Sequence, residues 1–146
     1  MIHYTCRHWS APVNCAFEFH DSRLVEFERR EDGTGYLLFR ASVYRTQGEL
    51  FRAGQESGFQ FVRIHLSEMH VSGPIVLDEH CSSGSIMVDG HLMEDIIYLP
   101  LDQESPVQIA LQLSPRFETT VVDGRSIRVE LEGEFERELV WEEDPT

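Results

Sequence analysis

Histidine and cysteine are the side chains here best suited to hold a metal or to act as base or nucleophile, and they fall into three loose groups. His3, Cys6 and His8 stand near the start with Cys15 beyond them; His65, Glu68 and His70 form a second group; Glu79, His80 and Cys81 form a third. None shows the paired CxxC or the HExxH helix spacing that fixes a tetrahedral zinc. Scattered histidines on strands and loops mostly sit at the surface or in ordinary hydrogen bonds, so no metal and no cofactor is expected. A metal or small-ligand site built across distant segments would draw on His20, His65, His70, His80 and His91. The pair His20-Asp21 also occurs in metal-dependent phosphohydrolases, but there it lies in a helical domain with further ligands. The plainer reading is a turn leading into a strand, with Asp21 or Ser22 bonded to nearby backbone N–H groups.

No nucleophile lies in a recognisable frame. Gly-x-Ser-x-Gly is absent, and Ser82-Ser83-Gly84-Ser85 reads as a flexible loop. Carboxylate pairs for acid–base work cannot be singled out, because 26 acidic residues make chance pairing almost certain. One carboxylate pattern stands apart. Glu130, Glu132, Glu134, Glu136 and Glu138 occupy consecutive even positions, and an unbroken strand would align them in one row at roughly 6.6 Å spacing. Such a row is either a solvated outer face that discourages edge aggregation or a docking surface for a basic protein. Gly133 would bend or bulge the strand and break it.

The elements that must position these groups are strands. Leu37, Phe39, Ala41 and Val43 alternate with Leu38, Arg40, Ser42 and Tyr44. The same period of two carries Val107, Ile109, Leu111 and Leu113, then Ile127, Val129 and Leu131. Asp89-Gly90 and Asp123-Gly124 read as hairpin turns, and residues 31–35 as a longer connection. About eight strands are expected, in an all-β antiparallel sandwich or open barrel. The expected core includes Leu37, Phe39, Val43, Val62, Ile64, Val107, Ile109, Leu111, Val129 and Leu131. At most one short helix is expected, over residues 75–81, a stretch that reads equally as a strand or an irregular crossover. Residues 45–57, with Gly48 and Gly54, read as a mobile loop.

A chain of 146 residues can bury about two-thirds of its unfolded surface in one core, so residues 1–146 read as one domain. Residues 1–21 are expected as an N-terminal extension and 142–146 as a loose tail. Twelve basic side chains against 26 acidic give a formal charge of −14, which opposes binding to nucleic acid or to an anionic membrane. All twelve basic residues are arginine, so Schiff-base chemistry and a phosphate-loop lysine are excluded. Without a signal-like or membrane-spanning apolar run, a cytoplasmic location is expected. Three cysteines, odd in number, lead us to expect reduced thiols.

Phe19-His20-Asp21 followed by the strand residues Leu24, Val25 and Phe27 resembles the opening of uncharacterised bacterial all-β families, and of some polymorphic-toxin immunity proteins. The segment Tyr98-Leu99-Pro100-Leu101-Asp102 and the closing stretch from Ile127 to Glu134 resemble the same families. The resemblance implies an all-β bacterial domain and transfers no catalytic residue. Together these readings give the expected function: a non-enzymatic acidic domain that binds a basic protein, possessing an immunity-like character. The alternative is a small-ligand or metal-binding β-barrel or sandwich enzyme.

Overall fold

The computed structural model describes residues 3–4, 13–47, 56–115 and 118–137. Among the described residues there are twelve strands and no helix. They are β1 (His3–Tyr4), β2 (Val13–Arg29), β3 (Gly35–Gln47), β4 (Glu56–Ser67), β5 (His70–Ser72), β6 (Glu79–Val88), β7 (His91–Glu94), β8 (Ile96–Leu99), β9 (Asp102–Gln103), β10 (Val107–Leu113), β11 (Glu118–Gly124) and β12 (Ser126–Arg137). They pair antiparallel along one path, β1-β12-β4-β3-β2-β6-β10-β11-β5, with β7 on β6, β8 on β2 and β9 on β12. The sheet stays open and does not close into a barrel. It bends over so that β12-β4-β3-β2 and β6-β10-β11 bury their inner sides in one shared core.

Period two decides which side chains enter that core. All ten residues expected there are buried, with Ile109 and Leu111 of β10 facing the same interior as Phe39 and Ile64. Phe17, Phe19 and Phe39 stack edge to face with ring centroids 5.1 and 5.4 Å apart, a geometry aromatic quadrupoles favour. Residues 13–21, expected within an N-terminal extension, form the first half of β2 and supply Cys15, Ala16, Phe17 and Phe19 to the core. The alternation of Cys15, Phe17 and Phe19 with Glu18 and His20 is the local reason.

Strand β2 is interrupted in its middle. Glu18 faces Ser42 of β3 and Arg23 faces Arg40, so four residues, 19–22, oppose the single Ala41. The interruption also divides the other edge of β2. Residues Cys15 to Glu18 pair with β8, while Ser22 to Leu24 pair with β6. Asp95, in the turn between β7 and β8, ties the junction. Its carbonyl accepts from Phe19 N–H, its N–H donates to the Gly84 carbonyl, and its carboxylate accepts from His20 N–H at 2.9 Å. The pair His20-Asp21 therefore belongs to a wide bulge inside a strand.

Two further connections change layers. Asp123-Gly124 is not a hairpin turn: β11 pairs with β10 and β5, whereas β12 pairs with β4, β1 and β9. The chain crosses from one half of the sheet to the other at Arg125, whose N–H donates to the Ser67 carbonyl beside the matching crossing from β4 to β5. Asp123 and Gly124 instead remain in β11, opposite Gln108 and Val107, so the same dipeptide is strand at one place and turn at the other. Asp89-Gly90 does close a hairpin, with φ of 48° and 81° as a two-residue turn of that hand requires. The stretch with helical potential is irregular up to Asp78 and then enters β6.

The expectation of three reduced thiols is overturned at Cys15, which is disulfide-bonded. Cys81 is a free thiol, buried, and burial pushes it up to about 11. Spacing between cysteines carries no information about which of them meet in space. Most of the loop expected over 45–57, the tail over 142–146 and Glu138 lie outside the described residues. No helix long and apolar enough to cross a membrane occurs among the described residues.

Gly84 touches Phe19 so closely that an added Cβ would stand 2.5 Å from the ring. Gly84→Ala is therefore expected to cost about 1–3 kcal/mol by overpacking. Ile109→Ala should cost about 2–5 kcal/mol through the cavity it leaves. Urea unfolding measures both, and an unchanged midpoint for Gly84→Ala would refute the packing described at the β2 interruption.

Candidate functional site

The outer face of β2, β3, β4 and β12 is ordered by cross-strand neighbours, which share a side of the sheet. Four rows cross it in register: Glu28-Tyr36-His65-Arg128, Glu26-Leu38-Arg63-Glu130, Arg23-Arg40-Phe61-Glu132 and Glu18-Ser42-Phe59-Glu136. Glutamate fills every outer-strand position of these rows except Arg23 on β2 and Arg128 on β12. The middle strands β3 and β4 carry Tyr36, Arg40, Phe59, Phe61 and Arg63, with Leu38, Ser42 and His65 between them.

These groups answer one another. Arg63 holds Glu132 with both Nε and Nη2, and its guanidinium lies over the Tyr36 ring at 4.2 Å. Glu132 is almost fully buried, and the fork-on-carboxylate geometry is what allows a charge to sit there. Arg40 pairs with Glu136 at 2.6 Å and lies 5.1 Å from the Phe61 ring centroid and 5.9 Å from that of Phe59. Arg128 pairs with Glu130 at 3.0 Å, and the Tyr36 and Tyr44 hydroxyls donate to Glu26 and Glu18. Two large apolar side chains remain uncovered, Phe59 at 37% and Phe61 at 38% exposure.

The expected carboxylate row is redistributed by this arrangement. Glu130, Glu132 and Glu136 are on the face, each with a cationic partner. Between Glu132 and Glu136 the register with β4 shifts, Gly133 takes φ of 75°, and Glu134 falls out of line. The Gly133 carbonyl accepts from Gln60 in the core, which anchors the bulge. Sequence reading did not single out Arg40, Phe59, Phe61 or Arg63. The signal was present, because placing Val62 and Ile64 inward puts Phe59, Phe61 and Arg63 outward by alternation.

The five histidines do not converge. His65 lies on the outer face just described, with Nε2 3.5 Å from Glu130, and burial followed by the nearby Arg128 lowers its pKa below the ordinary value. His70 is on β5 opposite Asp123, and His91 begins β7. Only His20 and His80 meet, their ring centroids 6.3 Å apart, with Asp21 between them at 3.3 Å from His20 Nε2 and 3.1 Å from His80 Nε2. Among the described residues no three His, Cys, Asp or Glu side chains gather as a metal site. His20 Nδ1 lies 2.8 Å from the Ser82 carbonyl, so that nitrogen carries a proton, and the Asp21 carboxylate favours a second proton on Nε2. The Ser82 carbonyl first, then Asp21, raise the His20 pKa above its ordinary value.

Two measurements check this electrostatics. A proton NMR titration should place His20 above the ordinary histidine value, and Asp21→Asn should lower it. A raised folded pKa means that the contribution of His20 to stability is complete below the unfolded value near 6.5 and is lost as pH rises through the folded value. Glu132→Gln should destabilise the fold by about 1–3 kcal/mol, since it leaves the Arg63 charge with a weakened partner in a half-buried setting. A His20 titration unmoved by Asp21→Asn, or full stability of Glu132→Gln, would contradict the geometry.

Comparison with known proteins matches this chain to no family, no curated protein and no solved structure.

Proposed function

We propose that this chain is a binding domain and that the outer face of β2-β3-β4-β12 docks a basic partner protein. The observation that carries the reading is the central column of that face. Exposed Phe59 and Phe61 flank Arg40, with Arg63 and Tyr36 beside them. Aromatic residues and arginine are the side chains that dominate binding energy in protein interfaces, most of all where a rim of other groups excludes water around them. Here the rim carries more acid than base on both sides, with Glu18, Glu26 and Glu28 beside Arg23 on β2 and Glu130 and Glu136 beside Arg128 on β12.

The ion pairs favour docking in a second way. Arg40 and Arg63 are already held in place by Glu136 and Glu132, so little rotamer freedom remains for a partner to remove. The net charge of −14 supplies a long-range field that steers a basic protein toward the surface. The resemblance to immunity proteins makes a basic toxin the partner class to test first.

The experiment is capture from the source cell's lysate, identification of the retained protein, and association kinetics with that partner purified. The partner is expected to be basic. Phe61→Ala should weaken binding at least tenfold, about 1.4 kcal/mol, while the chain stays folded, which a cooperative thermal transition checks. Glu26→Gln with Glu28→Gln, at exposed positions on β2, should act mainly on the association rate, and the difference should vanish at high salt. An acidic partner, or equal affinity for Phe61→Ala and wild type, would overturn the reading.

A further inference from the structure

The opposite outer face, on β7, β6, β10 and β11, contains a depression of about 500 Å³. Its floor is low because small side chains fall side by side in register: Ser85 faces Ala110 across β6 and β10, and Ser83 faces Gln112. One wall is Glu94, the cross-strand neighbour of Ser85, together with Asp95 and His20. The other wall is Gln112 and Thr119, neighbours on β10 and β11. The small residues make a hollow, and the walls give it a chemical preference.

That preference follows from where the protons are. Ser82 Oγ donates to the Gln112 carbonyl and Ser83 Oγ donates to Gln112 Oε1. Each hydroxyl has one proton, so both oxygens face the hollow as acceptors only. Glu94 and Asp95 add carboxylate acceptors. His20 offers no donor to the hollow, since its nitrogens face the Ser82 carbonyl and Asp21. The Gln112 amide N–H₂ and the Ser85 and Thr119 hydroxyls are the remaining donors, all of them neutral, against two carboxylates. A ligand that matches these walls must be rich in donors and positively charged. Asp95 is also fixed in advance, for its carboxylate is held by His20 N–H and its backbone by Phe19 and Gly84.

We infer that this hollow binds a guanidinium or alkylammonium group, seated between Glu94 and Asp95 on one side and the serine hydroxyl oxygens on the floor. The charge balance favours it: Asp21, Asp95 and Glu18 act on His20 and Glu94 lines the same hollow, so these four carboxylates outnumber the imidazoles of His20 and its neighbour His80. The site lies on the other side of the core from the aromatic face and does not depend on it. The group can arrive on a free amine or as the side chain of an arginine or lysine in a polypeptide, and the chemistry of recognition is the same.

The test is a titration of the full chain with methylguanidinium, using methylurea as a neutral control of the same shape, followed by amide NMR shifts. Methylguanidinium is expected to shift the amides of residues 82–85, 95 and 112 saturably, with at least tenfold higher affinity than methylurea. Glu94→Gln should lose about tenfold, and Ala110→Leu, which fills the hollow, should abolish the shifts while the rest of the spectrum stays folded. Ser85→Leu serves the same purpose if Ala110→Leu unfolds. Agmatine binding more tightly than the peptide Gly-Arg-Gly points to a free amine as the source, and the reverse order to a protein side chain. Equal response to methylguanidinium and methylurea, shifts spread over the whole surface, or unchanged binding in the filled variants would overturn the inference.

Discussion

The contact between Phe19 and Gly84 is the constraint on which the rest of the architecture depends. Phe19 enters the core from inside the β2 interruption, and only a residue without a side chain lets the backbone of β6 come so near the ring. That approach brings Asp95 within reach of both strands, and three hydrogen bonds through Asp95 then close the junction. With the junction closed, β2 serves β8 along its first half and β6 along its second. The same strand thereby belongs to both halves of the bent sheet.

The two outer faces solve the problem of a highly acidic chain differently. On β2-β3-β4-β12 the carboxylates are matched by arginines drawn from the central strands, and the hydrophobic cost of leaving Phe59 and Phe61 in water is the feature without an internal partner. On β7-β6-β10-β11 the described residues lining the hollow include no arginine, and hydroxyls rather than aromatics fill its described floor. One face is therefore flat, aromatic and largely matched in charge, while the other combines a small acidic hollow with the exposed apolar pair Met87 and Leu92. The −14 charge is spread unevenly as a result, and a partner sees different chemistry on each side.

Much of the fold was legible in the sequence because it rests on a local rule. Alternation along residues 37–43, 107–113 and 127–131 assigned inward and outward sides correctly, and a half-buried strand leaves no other arrangement. The two Asp-Gly pairs show where that rule stops. Residues 89–90 close a hairpin and residues 123–124 stay in β11, although the dipeptide is the same, because the partner of β12 is a strand some sixty residues earlier. The bulge at residues 19–22 was hidden for a similar reason: its cause is a glycine at position 84, which read as part of a flexible loop. The carboxylate row was visible, yet its arginine partners on β3 and β4 become neighbours only once the strands align.

The pairing of β12 with β4 has a consequence for how the chain is made. Strand β4 has β3 on one side as soon as the hairpin forms, but its other edge waits for a segment synthesised about sixty residues later. Until then a long strand carrying Phe59, Phe61, Val62 and Ile64 exposes a row of unpaired amides to whatever lies nearby. Such an edge templates association with other chains, and non-local pairings of this kind form slowly. The nascent protein is thus most vulnerable to aggregation during translation of its second half, and a shielding factor that holds the β4 edge at that stage would raise the yield of folded chain.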